Sequence, residues 1–430
     1  MSVPLDRLYN FLGDVCNHDD LIIYRFMPHG SRNLHDLVSF SANQNSITGK
    51  ALMFHDQECL NYDFYNLQDF EDISKKIKRY WLPEYNSMFQ PHADKFHHML
   101  KNMHLRAKLI YPILNKNDQV LLCHSEKNSR ELERYEQNNF IGVYYWSHAL
   151  IARDWFRYAE LDPALTVDFD QITKDFLIYN RAWSGTREYR LTFAEMLLNQ
   201  NLHRVCHINF NKIDSGNCYV DHKFANTELS IDRKDIENYL DSNDVDASAS
   251  ADYNNKDYVQ CAIEVVLETL FDDQRQHLTE KALRPIACGR PFILAATPNS
   301  LQYLRDYGFE TFDGLINESY DMINDPRERL FAIVEEMQRI SSLAPDLKQK
   351  LWQQLYEISA RNKQLFFSDH WHDCIVSEFK NNFESAIKRV TSTEKYWNYL
   401  KKSVAEDDLN YHDYLIFDPD NLIQFNPMRS

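Results

Sequence analysis

The chain has 430 residues, 44% of them hydrophobic and 26% charged, with nine glycines and thirteen prolines. That length allows two domains with separate cores, and the composition excludes a fibrous or linker-dominated chain. A formal net charge of −17 excludes a surface that grips nucleic acid all over, so any such contact must be a local basic face.

No stretch approaches eighteen consecutive apolar residues, and the N-terminus MSVPLDRLYNFLGDVCNHDD has neither a basic start nor an apolar run. A cytoplasmic protein with no membrane partner is expected. The eight cysteines form no CxxC pair, and several sit inside apolar runs. They read as reduced core thiols.

From Leu21 to Trp146, short apolar runs (LIIYRFM, ALMFHD, KLIYPIL, VLLCHS, FIGVYYW) alternate with polar, helix-compatible stretches. Runs of five to seven apolar residues fit strands buried on both faces, as in a parallel sheet covered by helices. Ser147 is placed to cap the next helix, with Leu150 or Ile151, Trp155 and Tyr158 at helical spacing, and Asp162-Pro163 ends it. The pattern restarts with DFLIYNRAW, RLTFAEMLLNQN, RVCHINF, VQCAIEVVLET, TEKALRPIACG and PFILAAT, which predicts a second α/β unit. Three amphipathic stripes follow: Leu330, Ile333, Val334 and Met337; Leu347, Leu351, Leu355 and Ile358; Ile375, Phe379, Phe383 and Ile387. The expected organisation is an α/β chain with Rossmann-like domains at 1–165 and 166–345 and a helical extension at 346–430. The polar stretch 241–257 reads as an exposed insertion.

Two basic constellations fall where a strand feeds a helix. In YNRAWSGTREYR, Arg181 leaves the strand, Gly185 permits a tight turn, Ser184 or Thr186 can cap the helix, and Arg187 and Arg190 lie three apart. A helix N-terminus offers free N–H donors and partial positive charge, so guanidiniums beside it suit a diphosphate. In the second, Thr279 caps a helix opened by Glu280 and Lys281. There a carboxylate can accept ribose hydroxyls while Lys281 and Arg284 reach phosphate. Against this, Glu280 and Arg284 are also an ordinary i,i+4 surface pair.

On the N-terminal side, His29, Arg32 and His35 follow the first strand, and Asp56 and Glu58 follow the second. Ligands of open α/β sheets bind beyond the strands' carboxyl ends, which makes these loops the acceptor side. Asp56 or Glu58 is the candidate general base of an inverting transfer; a retaining one needs none. Neither Asp244-Val245-Asp246, in the polar insertion, nor His370, His372 and Cys374, which share no helical face, reads as a metal site. No metal or cofactor is expected to be required.

The segment LTEKALRPIACGRPFILAATPNSLQYLRDYGFETFD resembles the donor-site segment of fucosyltransferase-like GT-B enzymes. That resemblance implies that Glu280 serves the nucleotide's ribose and Lys281 its phosphates. PHGSRNLHDL, FHDQECLNYD, YYWSHALIARDWFRYAE and NRAWSGTREYRL resemble segments of a group of tailed-bacteriophage glycosyltransferases, with Cys59 standing where that group has Pro. Together the resemblances span most of residues 20 to 340. They imply two Rossmann-like domains facing a cleft in a GT-B arrangement, with C-terminal helices, a nucleotide-diphosphate sugar as donor, and the host cytoplasm as location. Association with the phage group further implies 5-hydroxymethylcytosine in DNA as acceptor of arabinose or glucose, the base being extruded to reach the donor. DNA would then need local positive charge near Lys75, Lys76, Lys78 and Arg79, or Lys101, Arg106 and Lys108. A glycan or protein acceptor is the alternative within the class, and a non-catalytic nucleotide- or carbohydrate-binding module the alternative outside it.

Overall fold

The computed structural model describes positions 8 and 15, the strands Leu21–Tyr24 and Ala51–His55, and residues 120–137, 140–214, 216–231 and 247–389. The chain divides into two units, Ser2–Ser147 with Ser377–Arg429, and His148–Val376.

In the first unit, β1 (Leu21–Tyr24), β2 (Ala51–His55), β3 (Val120–His124) and β4 (Phe140–Tyr144) form a parallel sheet in that spatial order. The register sets Leu52 opposite Val120 and His124 opposite Tyr144. Leu121, Cys123, Ile141 and Val143 are buried, as continuous apolar runs in a covered parallel sheet require. Between β3 and β4 lies α1 (Arg130–Gln137). A Cβ at Gly142 would stand 2.9 Å from Leu132 Cδ1, so the missing side chain is what lets helix and strand approach this closely. The apolar run Lys108 to Leu114 lies outside the described residues.

Next comes α2 (Ser147–Trp155), one residue earlier than a Ser147 cap would place it; the Ser147 hydroxyl is buried without a hydrogen-bond partner. The helix also stops short of Tyr158, which is exposed beneath the Arg157 guanidinium 4.3 Å from its ring.

In the second unit, β5 (Lys174–Asn180) leads through α3 (Tyr189–Asn199) to β6 (Cys206–Phe210). A small hairpin, β7 (Ile213–Asp214) with β8 (Asn217–Cys218), precedes α4 (Asn255–Gln260) and β9 (Cys261–Leu267). Then α5 (Glu280–Ala287), β10 (Phe292–Ala295) and α6 (Ser300–Asp306) follow. The larger sheet is parallel, in the order β10-β9-β5-β6. Every residue of β9 and β10 is buried, whereas β6, at the edge, alternates. Glu264 therefore sits inside an apolar strand. Arg284 Nη2 donates to its Oε1 at 2.5 Å and the Tyr258 hydroxyl donates to Oε2, which satisfies a carboxylate that would otherwise be untenable there.

Three helices close the second unit: α7 (Pro326–Ser341), α8 (Pro345–Phe367) and the first part of α9 (Asp369–Arg389). Leu330, Ile333, Val334 and Met337 are all buried, each worth about 1.5–3 kcal/mol of transfer free energy. On α8 the stripe is Leu351, Leu355, Tyr356 and Phe366, with Leu347 exposed in the first turn. Of the helices beyond 345, expected as an extension, α8 and the first part of α9 belong instead to this unit. Lys348 Nζ bonds both oxygens of Asp175 on β5, at 3.0 and 2.9 Å, and the Tyr356 hydroxyl donates to the Ala262 carbonyl on β9. Further along α9, Phe379, Phe383 and Ala386 are buried in the first unit, where Phe379 stacks on Tyr145 at 4.5 Å.

Among the described cysteines, Cys123, Cys206, Cys261 and Cys288 are buried, Cys218 is half-buried and Cys374 exposed, all as free thiols. No helix among the described residues is long and apolar enough to cross a membrane.

Candidate functional site

The order of the larger sheet sets where a ligand can enter. From β5 the chain moves outward to β6, then returns to the opposite side of β5 for β9 and β10. Connections therefore leave β5 and β9 in opposite directions, and the crevice beyond their carboxyl ends is a topological switch point, the usual ligand position in open α/β sheets.

The β5 edge of this crevice is the loop from Arg181 to Glu188. Gly185 (φ +63°) opens a 3₁₀ turn, Gly185–Arg187, and a side chain added at that glycine would meet nothing within 4 Å. Neither Ser184 nor Thr186 caps a helix: Ser184 Oγ donates to Asp214 Oδ2 at 2.6 Å, and the backbone N–H groups of Trp183 and Ser184 reach the same oxygen at 2.8 and 2.7 Å. Burial pushes the Asp214 carboxyl up, but these donors and the Arg187 charge hold it below its ordinary value. Gly185 and Thr186 are exposed, and their N–H groups bond no described residue. At the far end, Glu188 accepts from Ala225 N and Asn226 N at 2.8 and 2.7 Å and lies 3.2 Å from His222 Nε2.

The structure places the arginines of this loop in different roles. Arg181 and Arg187 are half-buried. Arg190, in the first turn of α3, is 3% exposed and donates to three main-chain carbonyls: Ala182 at 2.6 Å, Leu267 at 2.5 Å and Glu268 at 2.9 Å. It ties the ends of β5 and β9 together and pairs with no described carboxylate. Burial lowers its pKa, and the Arg187 charge adds to that. Arg190 and Arg187 thus lie close enough to feel each other's charge, while the Tyr189 hydroxyl and the Glu268 carboxylate act on Arg190 in the opposite sense.

The β9 edge is closed by a carboxylate. Glu268, fully buried, accepts from Thr269 N at 3.0 Å, Thr279 N at 2.9 Å, Thr279 Oγ1 at 2.7 Å and Ala282 N at 3.3 Å. It fills the anion position at the start of α5 that the sequence offered to a phosphate. Thr279 does cap this helix, its Oγ1 accepting from Lys281 N at 3.4 Å.

Glu280 is also drawn inward. Its Oε1 accepts from Lys281 Nζ at 2.8 Å, and its Oε2 lies 3.1 Å from His148 Nδ1, whose ring meets His277 edge-on at 5.1 Å. Burial raises the carboxyl pKa, but Lys281 and His148 hold it well below the ordinary range. Lys281 keeps about a quarter of its side chain exposed, at 23%. Arg284 does not join this cluster: it is buried over the Tyr179 ring at 4.5 Å and committed to Glu264. Arg181 and Arg187 thus stay half-buried on the β5 side, Arg190 is buried between the ends of β5 and β9, and Glu280 and Lys281 open α5 on the β9 side.

His29, Arg32, His35, Asp56 and Glu58, the basic clusters at 75–79 and 101–108, and Asp244 with Asp246 lie outside the described residues. At the carboxyl edge of the first sheet stand His124 and Tyr144, their rings 5.8 Å apart. Burial pushes His124 down to about 4, so its ring is neutral near pH 7. On α9, Cys374 Sγ is 4.0 Å from His370 Nε2 on an exposed face, and no group of three metal-ligating side chains occurs among the described residues.

Sequence reasoning missed Asp214, Glu268 and His148. Glu268 carried a signal, being the first polar residue after an apolar strand; Asp214 carried none. Comparisons with protein-family models, curated proteins and solved structures found no match.

Proposed function

We propose that the chain is a glycosyltransferase of GT-B arrangement whose nucleotide-diphosphate sugar binds at the β5/β9 switch point. The observation that carries the reading is the cation set beside an open turn: a buried Arg190 that donates to main-chain carbonyls, the Arg187 guanidinium near it, and Gly185 and Thr186, whose N–H groups bond no described residue. Such a turn suits a diphosphate, whose oxygens take charged hydrogen bonds worth about 1.5–3 kcal/mol each. Arg181 and Lys281 extend the cation set. With both Glu280 oxygens engaged, a ribose hydroxyl would bond to the lone pairs that Lys281 and His148 leave over.

In the transfer, the acceptor oxygen bonds to the sugar's anomeric carbon as the bond from that carbon to the phosphate oxygen breaks. The nucleoside diphosphate leaves with the electron pair, and its added charge falls on Arg187 and Lys281. In an inverting course the acceptor proton passes to Asp56 or Glu58. The phage resemblance supports 5-hydroxymethylcytosine in DNA as acceptor and arabinose or glucose as sugar. Incubation of hydroxymethylcytosine DNA with a panel of sugar nucleotides, in EDTA, followed by mass spectrometry of total nucleosides, should give a glycosylated nucleoside. Donor consumption without modified DNA moves the acceptor to a glycan or protein hydroxyl; no consumption of any donor removes the glycosyltransferase reading.

A further inference from the structure

The segment after β6 is fastened to the candidate phosphate loop at both ends. Asp214, on the β7–β8 hairpin, takes three hydrogen bonds from Trp183 and Ser184 through one oxygen. Twelve residues on, the backbone of Ala225 and Asn226 closes on Glu188. The Trp183 indole N–H also donates to the Asn211 carbonyl, at 2.9 Å. Within the turn itself the fixing bonds are two long backbone ones, Arg187 N to Ser184 O at 3.4 Å and Glu188 N to Gly185 O at 3.3 Å, and no side chain caps the helix.

We infer that Asp214 is a positioning residue for the donor: by gathering the Trp183 and Ser184 donors it sets the turn that presents Gly185 N–H, Thr186 N–H and Arg187 to phosphate. The inference rests on the reading of that turn as the donor's phosphate site. It also gives the hairpin a purpose, since an internal carboxylate consumes the Trp183 and Ser184 N–H groups and leaves those of Gly185 and Thr186, with the guanidinium, for a ligand. Asp214 is close enough to Arg187 to feel its charge, so it acts on the ligand in two opposed ways. Its negative charge weakens anion binding, while its hydrogen bonds order the loop. The inference holds that ordering dominates.

The test is a double-mutant cycle on donor affinity, measured by calorimetry with the nucleoside diphosphate of whichever sugar nucleotide the full chain consumes. Asp214→Ala should weaken binding about tenfold, Asp214→Asn, which keeps an acceptor oxygen, less than threefold, and Asp214→Ala should add little in an Arg187→Ala background. In turnover the loss should appear in KM with kcat nearly unchanged. Unchanged or tightened affinity in Asp214→Ala, or full additivity with Arg187→Ala, overturns the inference. If Arg187→Ala alone leaves affinity unchanged, the phosphate site itself is misplaced, which is a separate failure. Thermal melts of all variants separate a loosened loop from an unfolded unit.

Discussion

The loops at the carboxyl ends of β5 and β9 begin from similar sequence cues, a strand, a small residue and basic side chains, and reach opposite solutions. After β9, Glu268 accepts from Thr269 N, Thr279 N and Ala282 N and so fills most of the helix N-terminus from within. After β5, Asp214 takes the Trp183 and Ser184 N–H groups, and those of Gly185 and Thr186 bond no described residue. A third loop, after β10, resembles the second: Asp321 accepts from Ser300 N and Leu301 N at the start of α6. A helix N-terminus at a switch point is therefore a ligand site only where the fold has not already supplied its own carboxylate.

The sharpest way to break this comparison is Glu268→Ala. Removing one acceptor strands several buried donors at about 1–3 kcal/mol apiece, so a loss of about 3 kcal/mol or more in urea denaturation is expected, with Glu268→Gln intermediate. A variant of unchanged stability would mean that water or a ligand replaces the carboxylate, and that the α5 terminus is as open as the β5 turn.

Next in size is the contrast between the two half-exposed cations. Arg187→Ala should weaken nucleoside diphosphate binding at least tenfold, about 1.4 kcal/mol, with no change in melting temperature. Lys281→Ala should cost less, because Lys281 is already bonded to Glu280 and Thr279 and the variant frees a Glu280 oxygen. Calorimetry on both variants gives the ranking, and the reverse order would shift the phosphate toward α5.

The smallest effect concerns Asp321. Burial raises its pKa to about 6, outweighing its two backbone donors. A carboxyl raised by folding contributes stability that is fully present below its ordinary pKa and lost as pH climbs through about 6. The melting-temperature difference between Asp321→Asn and the parent chain should therefore become more positive from pH 5 to pH 7. A flat difference would mean that Asp321 is ionised throughout that range.

Much of the second sheet could be read from its apolar runs, and the Thr279 cap from its position before Glu280 and Lys281. The arginines were harder. Arg190 and Arg284 look like surface cations on amphipathic helices, yet both are buried. For Arg284 a clue was present in VQCAIEVV, where a glutamate inside a two-sided strand demands a cation nearby. Arg190 offered none, because its partners are main-chain carbonyls, which every sequence has. Asp214 lies thirty residues from the loop it holds, and no local periodicity encodes a contact of that span.

The distribution of thiols has a practical consequence for following the loop in solution. Burial pushes the Cys261 thiol up to about 12, and those of Cys123, Cys206 and Cys288 higher still, which keeps them protonated and inert to alkylation. Among the described cysteines this leaves Cys218 and Cys374 to react. Cys218 pairs directly with Ile213, the neighbour of Asp214. With Cys16, Cys59 and Cys374 replaced by serine, a small environment-sensitive fluorophore on Cys218 would sit on the hairpin that holds the Trp183–Ser184 turn, and a change in its emission on adding nucleotide would show whether one reaches that turn.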